Sequence, residues 1–234
     1  VEYVEFFIND TPIGTDSIFP YTFDWTMPMD GSYYITAWAF DDDGIHNISD
    51  DIQIFVGNIN ITVQIQASDD DAEEYKSDGS VDLTSADLEF CVEEWIWPIS
   101  DEDQWLGLRF QGIDIPEGAI VSSAYIELTS DESQTSGASI IIYGQNEDSP
   151  LPFTNSNNDI STRSRTTSNV VWTPNGWSAE EVGADTQSDD LSAIVQEIID
   201  RPGWTPGNNM AFIFEGSGTR SAYSFDESVS KSAK

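Results

Sequence analysis

The sequence predicts an all-β protein in two parts: a small β-sandwich over residues 1–57 and a larger one over residues 58–234 with one short helix. Three observations point there. Apolar residues alternate with polar ones in many short runs. Gly, Asn, Asp and Pro punctuate those runs at close intervals. One segment alone breaks the period of two and shows the spacing of a helix face.

In the first part, Val4, Phe6 and Ile8 alternate, and Asn9-Asp10-Thr11-Pro12-Ile13-Gly14 is turn chemistry. Tyr21, Phe23 and Trp25 alternate again. Asp30-Gly31 turns the chain into 32–40, where Tyr33, Ile35, Ala37 and Ala39 share one face. Asp41-Asp42-Asp43-Gly44 makes another turn, and Ile52, Ile54 and Val56 form a last strand. The junction at Gly57-Asn58 is short and has no Pro/Ser/Gly-rich linker, so a stiff connection is expected.

In the second part, strands are expected at 59–66, 87–92, 105–110, 120–129, 139–143, 170–172, 209–214 and 222–226. Leu106/Leu108/Phe110 and Met210/Phe212/Phe214 alternate most cleanly. Leu191, Ile194, Val195 and Ile198 fall on one helical face. Asp189 or Asp190 is placed to cap that helix, and Pro202-Gly203 stops it.

Charge narrows the function classes. Asp and Glu total 43 against 8 Lys and Arg, a formal net charge of −35. Such a surface repels nucleic acid, and no basic patch reverses it. No apolar run reaches the ~18 residues that a membrane span needs. Val1 opens directly into a strand-like segment, so the chain reads as a piece of a longer extracellular protein. Its lone cysteine, Cys91, sits in Leu88-Glu89-Phe90-Cys91-Val92 and reads as a small buried hydrophobe.

Catalysis is poorly equipped. The single histidine, His46, lies in a turn of the first part. The chain carries no nucleophile elbow, Cys/His pair, phosphate-binding glycine loop or zinc motif. A glycosidase needs only two carboxylates, but with 43 acids their proximity arises by chance. No catalytic residue is assigned.

Two binding chemistries fit better. Asp70 and Glu73 lie in an acidic run, Asp87 opens a later strand, and Asp226 lies near the C-terminus. If the first and last strands are neighbours, these four converge, and Ca²⁺ is the ion that such an oxygen set suits. The alternative is a solvated acidic loop. Trp95, Trp97, Trp177 and Trp204 are candidate ligand contacts, because sugars present C–H faces that stack on indole rings. Against this stands the ordinary fate of a tryptophan, which is core packing. Arg109, flanked by Leu108 and Phe110, is expected in a structural salt bridge inside the sandwich.

Two resemblances add to this. Val4-Glu5-Phe6-Phe7-Ile8-Asn9, Pro20-Tyr21-Thr22-Phe23-Asp24-Trp25, Asp30-Gly31-Ser32-Tyr33 and Ala37-Trp38-Ala39-Phe40-Asp41 resemble bacterial immunoglobulin-like domains. That resemblance implies a spacer in a multidomain secreted protein. Leu106-Gly107-Leu108-Arg109-Phe110, Ile115-Pro116-Glu117-Gly118-Ala119-Ile120, Arg201-Pro202-Gly203-Trp204 and Gly216-Ser217-Gly218-Thr219-Arg220 resemble a jelly-roll module of secreted bacterial proteins. Its architecture is similar to that of carbohydrate-binding modules. Modules of this kind end on one more hydrophobic strand, whereas this sequence ends Ser230-Lys231-Ser232-Ala233-Lys234. Either that strand lies outside the sequence, or another chain supplies it. Together these imply a Ca²⁺-stabilised, non-catalytic extracellular module for a polysaccharide or cell-surface glycan, joined to the rest of its own chain. The alternative is a structural or adhesive module that meets neighbouring copies by strand addition.

Overall fold

A computed structural model describes residues 1–26, 29, 31–93 and 101–234. They form two compact units, Val1–Asn60 and Ile61–Lys234. Both are built from antiparallel sheets, and the described residues include one α-helix.

The first unit holds β1 (Tyr3–Ile8), β2 (Thr11–Asp16), β3 (Gly31–Phe40), β4 (His46–Ile48) and β5 (Ile52–Val56). They make one sheet in the order β2-β1-β3-β4, with β5 also on β3. Asn9 and Asp10 join β1 to β2 at φ values of 47° and 60°. Short polar residues tolerate that left-handed conformation, which suits a tight hairpin. Register puts Val4 opposite Ala39, Phe6 opposite Ala37 and Ile8 opposite Ile35, so these apolar residues share one face.

The segment carrying Tyr21, Phe23 and Trp25 belongs to no ladder, contrary to the strand expected there. Instead it covers the apolar face. Phe23 lies 5.9 Å from Phe6, and Trp25 lies 5.0 Å from Tyr33. Phe23 packs so close to Gly14 that a Cβ there would meet its ring at 2.1 Å.

The second unit holds β6 (Asp71–Tyr75), β7 (Val81–Asp82), β8 (Asp87–Glu89), β9 (Val92–Glu93), β10 (Glu102–Ile113), β11 (Glu127–Thr129), β12 (Ser139–Gln145), β13 (Arg165–Trp172), β14 (Val182–Gln187), α1 (Ser192–Ile199), β15 (Asn208–Ser217) and β16 (Ser221–Tyr223). The main sheet runs β13-β12-β15-β10-β6-β7, with β9 also on β10. The pairs β11-β14 and β16-β8 lie across the core and are joined by a bridge between Ser130 and Ala222. Leu106, Leu108 and Phe110 pack with Met210, Phe212 and Phe214 on the inner face of the main sheet, as their alternation predicts. Leu88, Phe90, Ile126 and Leu128 close the core from the other side.

The outer face of the main sheet is buried too. Ala72, Ala211 and Ile213 pack there with Phe153 and Ile160 from the long 146–164 connection. Phe153 sits directly over Gly107, where a Cβ would meet its ring at 2.4 Å. Helix α1 lies where its period placed it, with Ile194 and Ile198 buried. Leu191 holds the N-cap position with no side-chain cap, contrary to the cap expected from Asp189 or Asp190; Asp190 instead accepts from Ser192 N (3.0 Å) and Ala124 N (3.0 Å), tying the helix start to the neighbouring segment. These bonds, with that from Ala124 first, hold its carboxyl below the usual range.

Residues 59–66 and 120–126, both expected as strands, lie outside any ladder. Cys91 is buried, and that burial pushes its thiol up to about 12, which makes it inert.

Candidate functional site

Each of the four acids expected to share a cation accepts a hydrogen bond from a protein donor. Asp70, fully buried, accepts from the Arg109 guanidinium and from Gln111 Nε2 at 2.6 Å. Arg109 also donates to Pro150 O at 2.8 Å, so it is the structural ion pair that its position inside a strand predicts. Glu73 accepts from Glu89 N (2.7 Å) and Gln104 Nε2 (3.0 Å). Asp87 accepts from Ser221 Oγ at 3.1 Å, and Asp226 from Ser68 Oγ at 2.8 Å. Among the described residues no group of three or more His, Cys, Asp or Glu side chains is placed to hold a metal ion. The first and last segments do approach, with Ser68 bonded to Asp226 and Ser221 to Asp87.

The acidic cluster has its own electrostatics. Burial pushes the carboxyl of Glu73 up to about 8 and that of Asp71 up to about 7. Glu89 is also raised, first by burial and then by Glu93, and Glu93 is raised by burial although its bond with Glu89 pulls it down. Oε2 of Glu73 is buried and has no hydrogen-bond partner among the described residues. Burial thus shifts these carboxyls toward their neutral form.

The tryptophans divide. Trp95 and Trp97 lie outside the described residues. Trp177 and Trp204 are core residues, 2% and 1% exposed, and offer no open ring face to a ligand. Their indole N–H groups donate to Asp185 O (2.8 Å) and Ile115 O (3.0 Å). A large ring that fills the core while one N–H finds a carbonyl is the outcome expected of a buried tryptophan. Trp177 also lies 5.8 Å from the buried Arg220 guanidinium, which holds the carbonyls of Pro174 and Asn175.

An open aromatic surface lies elsewhere, on the first unit. The residues of β3 between the core positions face the opposite side of the sheet: Ser32, Tyr34, Thr36, Trp38 and Phe40. Tyr3 stacks on Phe40 at 4.6 Å, and His46 stacks on Trp38 at 4.7 Å, so a row of rings crosses three strands. Beside this row is a groove of about 600 Å³ lined by Asn9, Asp10, Ser32, Tyr34, Thr36 and Asp51. Tyr34 is 48% exposed in that groove. Asn9 is held in place, since its Oδ1 accepts from Tyr34 N at 2.9 Å. One open ring is thus surrounded by amide, hydroxyl and carboxylate groups.

Comparison with protein families gives one match: a model described as a bacterial Ig domain covers residues 1–37. The matched stretch contains β1, β2 and most of β3, and it makes this an Ig-like segment of bacterial type. A search of curated proteins found no match. Domains of this kind are appended modules, often extracellular or surface-associated, and the Ig-like sandwich is typically non-catalytic. Among the described residues no helix is long and apolar enough to cross a membrane.

Proposed function

We propose that the chain is a non-catalytic extracellular binding module and that its Ig-like unit carries a glycan site in the groove beside Tyr34. The observation that carries this reading is the open tyrosine ring flanked by Asn9, Asp10, Ser32 and Asp51. A sugar has an apolar C–H face and a rim of hydroxyls. The ring takes the first, and amide, hydroxyl and carboxylate groups take the second. A groove of about 600 Å³ has the volume of an ordinary small-ligand site. The surrounding acidity, from Asp10 and Asp51 in the groove to the whole chain, favours a neutral glycan over a sulfated or uronic one.

Retardation of the chain in native gels cast with neutral polysaccharides tests the reading. Retardation by at least one, lost in Tyr34→Ala, is the expected result. Retardation that survives the substitution unchanged places the site elsewhere.

A further inference from the structure

The face of β3 that carries Tyr34 continues onto β5. The two strands run antiparallel, with Tyr34 opposite Gln53 and Ser32 opposite Phe55. Directly opposed residues point to the same side of a sheet, so Gln53 and Phe55 share the face of Tyr34 and Ser32. A bond across the strands agrees: Gln53 Nε2 donates to Ser32 Oγ at 2.9 Å. Phe55 is 46% exposed, close to the 48% of Tyr34. Two open rings therefore occupy one diagonal of this four-residue patch. A bonded amide and hydroxyl occupy the other and cross between them.

In the other direction along β3 the aromatic rings are already engaged. Thr36 is buried. Beyond it Trp38 lies between His46 at 4.7 Å and Phe7 at 4.6 Å, and Phe40 stacks on Tyr3 at 4.6 Å. Among the described residues neither Tyr34 nor Phe55 is stacked on another ring. Asp51 precedes Ile52, which pairs with Ile35, so this carboxylate stands at the Thr36 end of the groove. The ring surface that a ligand at Tyr34 can still reach thus lies toward Phe55, away from that acid.

We propose that the glycan site extends from Tyr34 to Phe55 and takes two neighbouring sugar rings of one neutral chain. This rests on the glycan reading of the groove beside Tyr34 and adds to it a second subsite and a ligand class. Diagonal neighbours on paired strands lie about 7–8 Å apart, within reach of aromatic side chains that hold successive rings of one ligand. Tyr34 stacks on the C–H face of the first sugar and Phe55 on that of the next. Between them, the Gln53 amide oxygen accepts from a sugar hydroxyl, and the Ser32 hydroxyl donates to one. Ser32, Gln53 and Phe55 are all exposed, so the second subsite is an open surface rather than an enclosing pocket. Such a surface suits an internal stretch of a polysaccharide, whereas a monosaccharide finds only half of its contacts there.

The test titrates the 234-residue chain with neutral oligosaccharides of the gluco-, xylo- and manno-series, from monomer to hexamer, and follows binding by NMR shifts. In a series that binds, affinity should rise at least about tenfold from monomer to trimer, as the second ring becomes engaged. Phe55→Ala should remove that rise: trimer binding weakens about 5–30-fold while monomer binding stays within about twofold. Phe55→Leu keeps apolar bulk without a flat ring and should lose the rise as well. Both variants should keep the wild-type Tm, since the ring is 46% exposed, and this separates a lost contact from a damaged fold. Affinity that does not grow with chain length, or that grows equally in Phe55→Ala, overturns the second subsite alone when Tyr34→Ala still weakens every length. Binding indifferent to Tyr34→Ala, or no binding in any series, overturns the Tyr34 site and this extension together.

Discussion

Replacing Arg109 by methionine isolates the ion pair that holds Asp70 in the interior. In the folded chain Asp70 is fully buried and Arg109 is 5% exposed. Methionine keeps most of the side-chain volume and removes the guanidinium. Asp70 then retains one donor, Gln111 Nε2 at 2.6 Å, and a carboxylate buried beside an apolar side chain. Breaking a buried pair from one side costs about 3–5 kcal/mol, because the remaining charge loses its compensation. For a domain of this size that corresponds to a fall in Tm of about 6–20 °C. Urea unfolding of wild type, Arg109→Met, Asp70→Asn and the double variant gives both the loss and the coupling energy. The account expects a coupling of about 2 kcal/mol or more, with the double variant more stable than the sum of the single losses implies. A loss below about 1 kcal/mol in Arg109→Met, or additive losses, would refute the reasoning and free Asp70 for another role.

Three further outcomes follow from the same geometry. Gly107→Ala should destabilise by about 1–3 kcal/mol in urea unfolding, since its Cβ would lie 2.4 Å from the Phe153 ring above a β-strand. Glu73 and Asp71 bind protons in the folded state, up to about 8 and about 7, that the unfolded chain has lost above the usual carboxylate range. Stability should therefore fall as pH rises from about 4.5 to about 8, and Glu73→Gln should flatten that slope; a profile that rises through this window has the wrong sign. Millimolar CaCl₂ after EDTA treatment should leave Tm unchanged, given that donors already occupy Asp70, Glu73, Asp87 and Asp226. A rise of several degrees would instead mean that Ca²⁺ neutralises the acidic cluster.

Period two was enough to place the main strands of both units, because each has one face on a core. Leu106/Leu108/Phe110 and Met210/Phe212/Phe214 are such strands, and α1 stood out because its period differed. Arg109 was legible for a related reason: a guanidinium between two core residues of a strand needs a partner. That partner, Asp70, lies 39 residues away, and no local pattern could choose an arginine over a cation for it. The fate of Trp177 and Trp204 was hidden in the same way, since an indole suits a core and a ligand equally and only packing decides. The groove beside Tyr34 did leave a trace. Tyr34, Trp38 and Phe40 alternate on β3 out of phase with Ile35, Ala37 and Ala39, so the strand is apolar on both faces. Counting only one face of a strand overlooks a second apolar one. The segments 61–65 and 121–126 carry strand-like sequence yet lack a ladder, because pairing depends on a neighbour and not on the segment itself.

Isothermal titration of the chain with a retarding neutral polysaccharide, comparing wild type with Tyr34→Ala, tests the central claim most directly. Loss of the ring contact should weaken binding by about 5–30-fold, or about 1–2 kcal/mol, at unchanged Tm, since the side chain is 48% exposed. Equal affinity in the two proteins, or no neutral polysaccharide that binds wild type, would contradict a glycan site on the Ig-like unit.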